Sequence, residues 1–168
     1  GNGKHLSNTY LLEKKYNWRG ILAEPAKCWH NDLLKNRTCS ICFDVVNVDS
    51  GLDLDFFEFY SSSTLKKFED KDILNNLKIN NEKAKKYRVK SININDMLIK
   101  YNAPYLIDYL SIDTEGGELE ILKSINFKKN KFKIITCEHN YKNKDEISKF
   151  LQNNGYTIRF ENNSFFDG

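Results

Sequence analysis

The stretch Tyr109-Leu110-Ser111-Ile112-Asp113-Thr114-Glu115-Gly116-Gly117-Glu118 decides how the chain is read. A short apolar run ends in an acid, passes through a glycine pair and enters Glu118–Ser124, where Leu119, Ile121 and Leu122 supply a helical face. An apolar strand that turns at once into a helix is the repeating unit of a parallel sheet covered by helices. Two further stretches follow the same plan. Gly20-Ile21-Leu22-Ala23-Glu24-Pro25 ends in an acid and a proline, which cannot continue a central ladder. A helix over residues 26–36 follows, with Trp29 and Leu33 four apart on one face. Residues 132–138 form the third apolar run, and Lys144–Asn153 the helix after it, with Ile147, Phe150 and Leu151 on one side and Gly155 as its cap.

Working outward, Tyr10, Leu11 and Leu12 give residues 7–17 the face of a helix that Ser7 or Asn8 caps. Residues 39–48 read as a strand, and Asp49-Ser50-Gly51 as a turn. Leu52, Leu54 and Phe56 alternate with Asp53, Asp55 and Phe57, which predicts a half-exposed strand paired in a hairpin. Residues 60–87 are rich in Ser, Lys and Asn and read as a lid or loop. A short strand is expected over 88–92 and a short helix over 95–101. Residues 156–161 and 164–166, with a turn at Asn162-Asn163, predict a closing antiparallel hairpin. The expected fold is α/β: a three-layer sandwich whose mostly parallel sheet has right-handed crossovers and a core of strands at 20–24, 39–46, 109–113 and 132–138.

Composition narrows the function classes. At 168 residues the chain is read as one domain, 1–168. Hydrophobic residues make up 40%, enough for a real core. No apolar run reaches membrane-spanning length, and the polar opening has no signal-peptide character, so a cytoplasmic protein is expected. The net charge of +3 argues against a nucleic-acid or membrane-surface partner. Cationic residues are 22 Lys against 4 Arg, a solubilising surface rather than an array of bidentate phosphate clamps. Cys39 and Cys42 have metal-pair spacing, but they lie on a predicted strand where residues three apart face opposite sides. No second Cys/His pair has zinc spacing, so reduced thiols and no metal are expected.

Ligands of open α/β sheets bind beyond the carboxyl ends of the strands. Acids stand at four such ends: Glu24, Asp44, the Asp113/Glu115/Glu118 turn, and Glu138 beside His139. A carboxylate in the position of Glu24 can accept both hydroxyls of a ribose, a device of nicotinamide and S-adenosylmethionine enzymes alike. The nicotinamide version requires G-x-G-x-x-G ahead of the first helix. Here that segment reads Gly1-Asn2-Gly3-Lys4-His5-Leu6-Ser7-Asn8, with no third glycine. His5 and His30 read as surface residues.

Asn2–Thr9, Gly20–Pro25, Ile107–Leu122 and Thr136–Asn140 together resemble the FkbM-type methyltransferases, in the family's order and over nearly the whole chain. The Asp113-Thr114-Glu115-Gly116-Gly117-Glu118 segment, followed by Leu122, is the most specific part. The resemblance implies the class I, Rossmann-like methyltransferase fold, S-adenosyl-L-methionine as cofactor, and transfer to a hydroxyl of a sugar or other small-molecule acceptor. It implies that Gly3 and Asn8 belong to the glycine loop around the methionine part, that Glu24 binds the ribose, and that Asp44 lies where the adenine amino group is met. Asp113 and Glu115 match acids facing the transferred methyl and the acceptor. His139 is then the expected general base, oriented by Asp113 or Glu115.

Family members carry a hydrophobic first strand ahead of the glycine loop, so that strand is expected to be absent here and the domain truncated at both ends. A bare strand edge would invite self-association into a homo-oligomer. The competing reading is a non-catalytic fragment that keeps the fold and acts through binding or assembly.

Overall fold

The computed structural model describes residues 1–59, 63–65, 85–139 and 143–159. They fall into two compact units, Gly1–Ile92 and Asn93–Gly168.

The first unit opens with a turn-rich segment leading into helix α1 (Tyr10–Tyr16). Strand β1 (Ile21–Ala23) follows, then a 3-10 turn (Lys27–Trp29) that runs into α2 (His30–Asn36). Strand β2 (Ser40–Cys42) lies parallel to β1, pairing Ile21 with Ser40 and Ala23 with Cys42. A second sheet, in the order β3-β6-β4-β5, is built from β3 (Val45–Asn47), β4 (Asp53–Glu58), β5 (Thr64–Leu65) and β6 (Lys85–Asn93). Strand β4 runs antiparallel to both β5 and β6. The apolar residues of this sheet bury with the β1–α2 connection: Ala26, Val45, Phe56, Leu65 and Val89 form one cluster, with Trp29, Leu54 and Tyr87 packed on it.

In the second unit, α3 (Ile94–Lys100) starts where the Asn93 side chain accepts from the Asn95 N–H at 2.8 Å, a regular N-cap. Strand β7 (Leu106–Ile112), helix α4 (Glu118–Ser124), strand β8 (Lys131–Cys137) and helix α5 (Lys144–Asn153) then alternate. β7 and β8 are parallel neighbours, from Leu106 opposite Lys131 to Ile112 opposite Cys137. Helix α4 packs against both α3 and α5. Phe127 anchors one side of the core, its ring 5.8–6.2 Å from those of Phe132, Phe150 and Tyr156.

The mixed α/β class, the parallel pairs and the two helices α4 and α5 agree with the sequence reading. Several elements differ. The strand expected over 39–48 is two strands, β2 and β3, broken at Phe43-Asp44. The strand at 52–57 does not return on the preceding one: β6 lies between β3 and β4. β6 is also nine residues long rather than five, because Lys85, Lys86 and Tyr87 extend the ladder opposite Glu58, Phe57 and Phe56. Periodicity underestimates it because its outward positions are charged and its pairing is non-local. Antiparallel pairing therefore occurs mid-chain, between β4 and its neighbours β5 and β6. Of that hairpin, residues 156–159 carry no regular structure and the rest lies outside the described residues. The lid expected over 60–87 also lies outside them, apart from 63–65 and 85–87.

One buried ion pair ties the glycine segment to helices α1 and α2. Arg37, 6% exposed, donates from Nε to Glu13 Oε2 at 2.8 Å. Its other nitrogens reach the Gly3 carbonyl (3.2 Å), Ser7 Oγ (3.1 Å) and Thr9 Oγ1 (2.9 Å). Glu13 Oε1 accepts from the Thr38 N–H and hydroxyl at 2.7 and 2.9 Å. Burial pushes the Glu13 carboxyl up, but these donors outweigh it and hold it at about 2. Every arm of the pair is satisfied, so removing one partner strands a buried charge. Arg37→Ala should cost about 3–5 kcal/mol in denaturant unfolding, whereas Arg37→Met combined with Glu13→Met should cost much less.

Candidate active site

In the first unit, the parallel pairing of β1 and β2 brings two predicted site acids to one carboxyl edge. The Glu24 N–H donates to the Cys42 carbonyl at 2.9 Å, carrying the β1–β2 ladder one residue past Ala23. Glu24 is half-buried there, and its Oε1 accepts from the Ala26 N–H at 2.9 Å. Its Oε2 lies against the amino group of Gly1. Asp44, also half-buried, accepts from the Cys42 thiol. Gly3 is buried with φ +75°, and a Cβ there would come within 2.7 Å of Leu33 and 2.8 Å of Arg37. The glycine is required for that close approach as well as for its left-handed backbone. Asn8 is exposed, in the turn before α1. His5 is exposed, but His30 is half-buried: its ring packs 4.0 Å from that of Phe43, and its Nε2 lies 3.2 Å from the Glu24 carbonyl.

In the second unit, β7 and β8 end level with one another, so the residues that follow, Asp113 and Glu138, emerge side by side. The Glu138 N–H donates to the Ile112 carbonyl at 2.9 Å, and the Asp113 and Glu138 carboxyls hydrogen-bond to each other. Two carboxyls hydrogen-bond to each other only when one of them holds a proton. Burial, then the charge of Asp113 and the shared hydrogen bond, push the Glu138 carboxyl well above the usual range. Its Oε2 is buried with no hydrogen-bond partner among the described residues.

Glu115 sits in the turn between β7 and α4 with φ +57°, an uncommon backbone for a side-chain-bearing residue. Glu118 holds that turn. It is 2% exposed, and its Oε1 accepts from the Thr114 N–H (2.8 Å), the Thr114 hydroxyl (2.9 Å) and the Gly116 N–H (3.0 Å). Glu115 is thereby fixed among like charges, and burial first, then Asp113 and Glu118, raise its pKa to about 7. His139 follows Glu138 and is 4% exposed.

A family model, the FkbM methyltransferase domain, matches residues 1–158. The chain belongs to the FkbM methyltransferase family. Comparison with curated proteins and with solved structures gave no match. Membership makes the chain a methyltransferase domain and implies a methyl donor. No helix among the described residues is long and apolar enough to cross a membrane.

Two residues of this methyltransferase were undervalued in the sequence. Glu138 had a visible signal, an acid at a strand's carboxyl end, but its partner is chosen by the β7–β8 register. Glu118 lies inside the family motif, yet only the folded turn shows that it braces Glu115. Carboxyls with raised pKa values stabilise the fold most while protonated: their contribution is complete below their ordinary value of 4.5 and is lost as pH rises through the raised values, about 7 for Glu115 and higher for Glu138. Glu13, with its lowered pKa, changes only below that window. The thermal transition should therefore fall between pH 5 and pH 8, and Glu138→Gln should flatten the fall.

Proposed function

We propose that the chain transfers the methyl group of S-adenosyl-L-methionine to a hydroxyl oxygen of a sugar or other small metabolite. The observation that carries this reading is the FkbM family match over residues 1–158, with Glu24 and Asp44 following β1 and β2 in the first unit, and Asp113 and Glu138 following β7 and β8 in the second.

The residues present fit such a cofactor. Glu24 has one oxygen committed to the Ala26 N–H, which fixes the carboxylate plane. In this reading that carboxylate binds the ribose diol, with about 1.5–3 kcal/mol from each charge-assisted hydrogen bond. Gly3 and Asn8 serve the methionine part and Asp44 the adenine. When bound, the cofactor supplies an electrophilic methyl on a sulfonium. The chain supplies alignment and a place for the acceptor's proton.

The base assigned to His139 from sequence passes to Glu115 in this reading. His139 is almost fully enclosed, whereas Glu115 is partly exposed on a braced turn and changes charge near neutrality. Asp113, sharing its proton with Glu138, orients the acceptor hydroxyl, and His139 is a buried structural residue.

Binding of S-adenosyl-L-methionine, measured by calorimetry, tests the cofactor assignment. Glu24→Gln should weaken it about tenfold or more with the fold retained. Unchanged affinity would remove Glu24 from the site. In a methyl-transfer assay over candidate hydroxyl acceptors, kcat/KM should rise with pH and level off above about 7, because the base acts ionised. Glu115→Gln should lower kcat by about 10²–10⁴-fold and abolish that inflection. A loss of this size in His139→Ala, with Glu115→Gln near normal, would return the base role to the histidine.

A further inference from the structure

The first unit contains a buried acid that the proposed chemistry does not use. Glu58, at the end of β4, is 6% exposed and lies on the face of the sheet that packs against the β1–α2 connection. Tyr87 stands opposite Phe56 on β6, so Tyr87 and Glu58 are diagonal neighbours on one face. The Tyr87 hydroxyl donates to Glu58 Oε2 at 2.6 Å. Burying a carboxylate costs free energy, and an apolar side chain would fill this position without that cost. Burial pushes the Glu58 carboxyl up, but the Tyr87 hydroxyl and the Cys28 N–H outweigh it and keep the group ionised.

What the pair holds is the backbone next to Glu24. Three successive amides at the start of the turn into α2 each donate to a side-chain oxygen. The Ala26 N–H reaches Glu24 Oε1 at 2.9 Å, the Lys27 N–H reaches Tyr87 Oη at 2.9 Å, and the Cys28 N–H reaches Glu58 Oε2 at 2.9 Å. Ala26 itself is fully buried in the apolar cluster with Phe56 and Val89. The amide that orients the Glu24 carboxylate is therefore clamped on its C-terminal side by a hydrogen-bonded acid–phenol pair from another sheet.

We propose that Glu58 and Tyr87 are positioning residues: by locking the backbone of residues 26–28 they aim the Glu24 carboxylate at the vicinal diol of a nucleoside ligand. This rests on the reading of Glu24 as the ribose-binding acid. It goes beyond that reading in assigning discrimination between ribose and deoxyribose to two side chains that do not touch the ligand.

The test uses the intact chain and two probes, S-adenosylhomocysteine and its 2′-deoxyribose analogue, titrated by calorimetry. The wild-type chain should prefer the diol by roughly 10–100-fold. Tyr87→Phe removes the acceptor for the Lys27 N–H and the donor to Glu58 while keeping the ring in the core. It should weaken S-adenosylhomocysteine about tenfold and leave the deoxy analogue within about twofold, so that the preference collapses. Glu58→Gln keeps size and an acceptor oxygen and should restore part of the preference relative to Glu58→Met. Amide exchange at Ala26, Lys27 and Cys28 should accelerate in Tyr87→Phe by more than any shift of the overall unfolding transition accounts for. An undiminished diol preference in Tyr87→Phe, or equal loss of both probes, would overturn the positioning role and leave the ribose assignment standing. A wild-type chain that binds neither probe, or both equally, would overturn the ribose assignment at Glu24 and the positioning role with it.

Discussion

The parallel pairing of β7 with β8 is the constraint on which the chemistry of the second unit depends. With Ile112 level with Cys137, the next residue on each strand is an acid, and backbone geometry leaves the two carboxyls no choice but to meet. Neighbouring strands stand about 4.8 Å apart, so two carboxylates at level strand ends repel each other unless one holds a proton. The proton they share and the raised pKa of nearby Glu115 follow from that single register. A slip of one residue would turn Glu138 to the other face of the sheet and dissolve the pair.

The buried acids separate by how completely they are satisfied. Glu13 meets Arg37 and Thr38, and Glu118 meets two backbone amides and a hydroxyl. Such full satisfaction is what a purely structural acid requires, because an unpaired buried charge costs more than most side chains contribute. Glu138 is different: one oxygen shares a proton with another acid, and the other is buried without a partner among the described residues. Natural proteins keep such unsatisfied groups where chemistry or binding uses them. Glu58 lies between these cases, satisfied but by partners that belong to the turn beside Glu24.

Much of this was legible in the chain itself. The apolar runs ending in Glu24, Asp113 and Glu138 predict strands that open onto a polar edge, and the structure has strands there. Helices Glu118–Ser124 and Lys144–Asn153 were readable to the residue, because their apolar faces and flanking glycines are local signals. The motif from Asp113 to Leu122 was enough to indicate the family. β6 was only half visible, since charged outward residues such as Lys85, Lys86 and Arg88 weaken its alternation. Its insertion between β3 and β4 was not visible, because partner choice in a sheet is made across a gap in sequence.

The sequence by itself determined the strands that end at Glu24, Asp113 and Glu138, the helices that follow them, and that the chain is a methyltransferase of the FkbM family. These are properties of short stretches, carried by periodicity, turn chemistry and a motif. Tertiary structure alone decided which acids face one another, that His139 is enclosed while Glu115 is left on a braced turn, and that Glu58 and Tyr87 hold the amides beside Glu24. Burial and proton sharing depend on neighbours brought together from distant parts of the chain. No reading of one stretch at a time contains them.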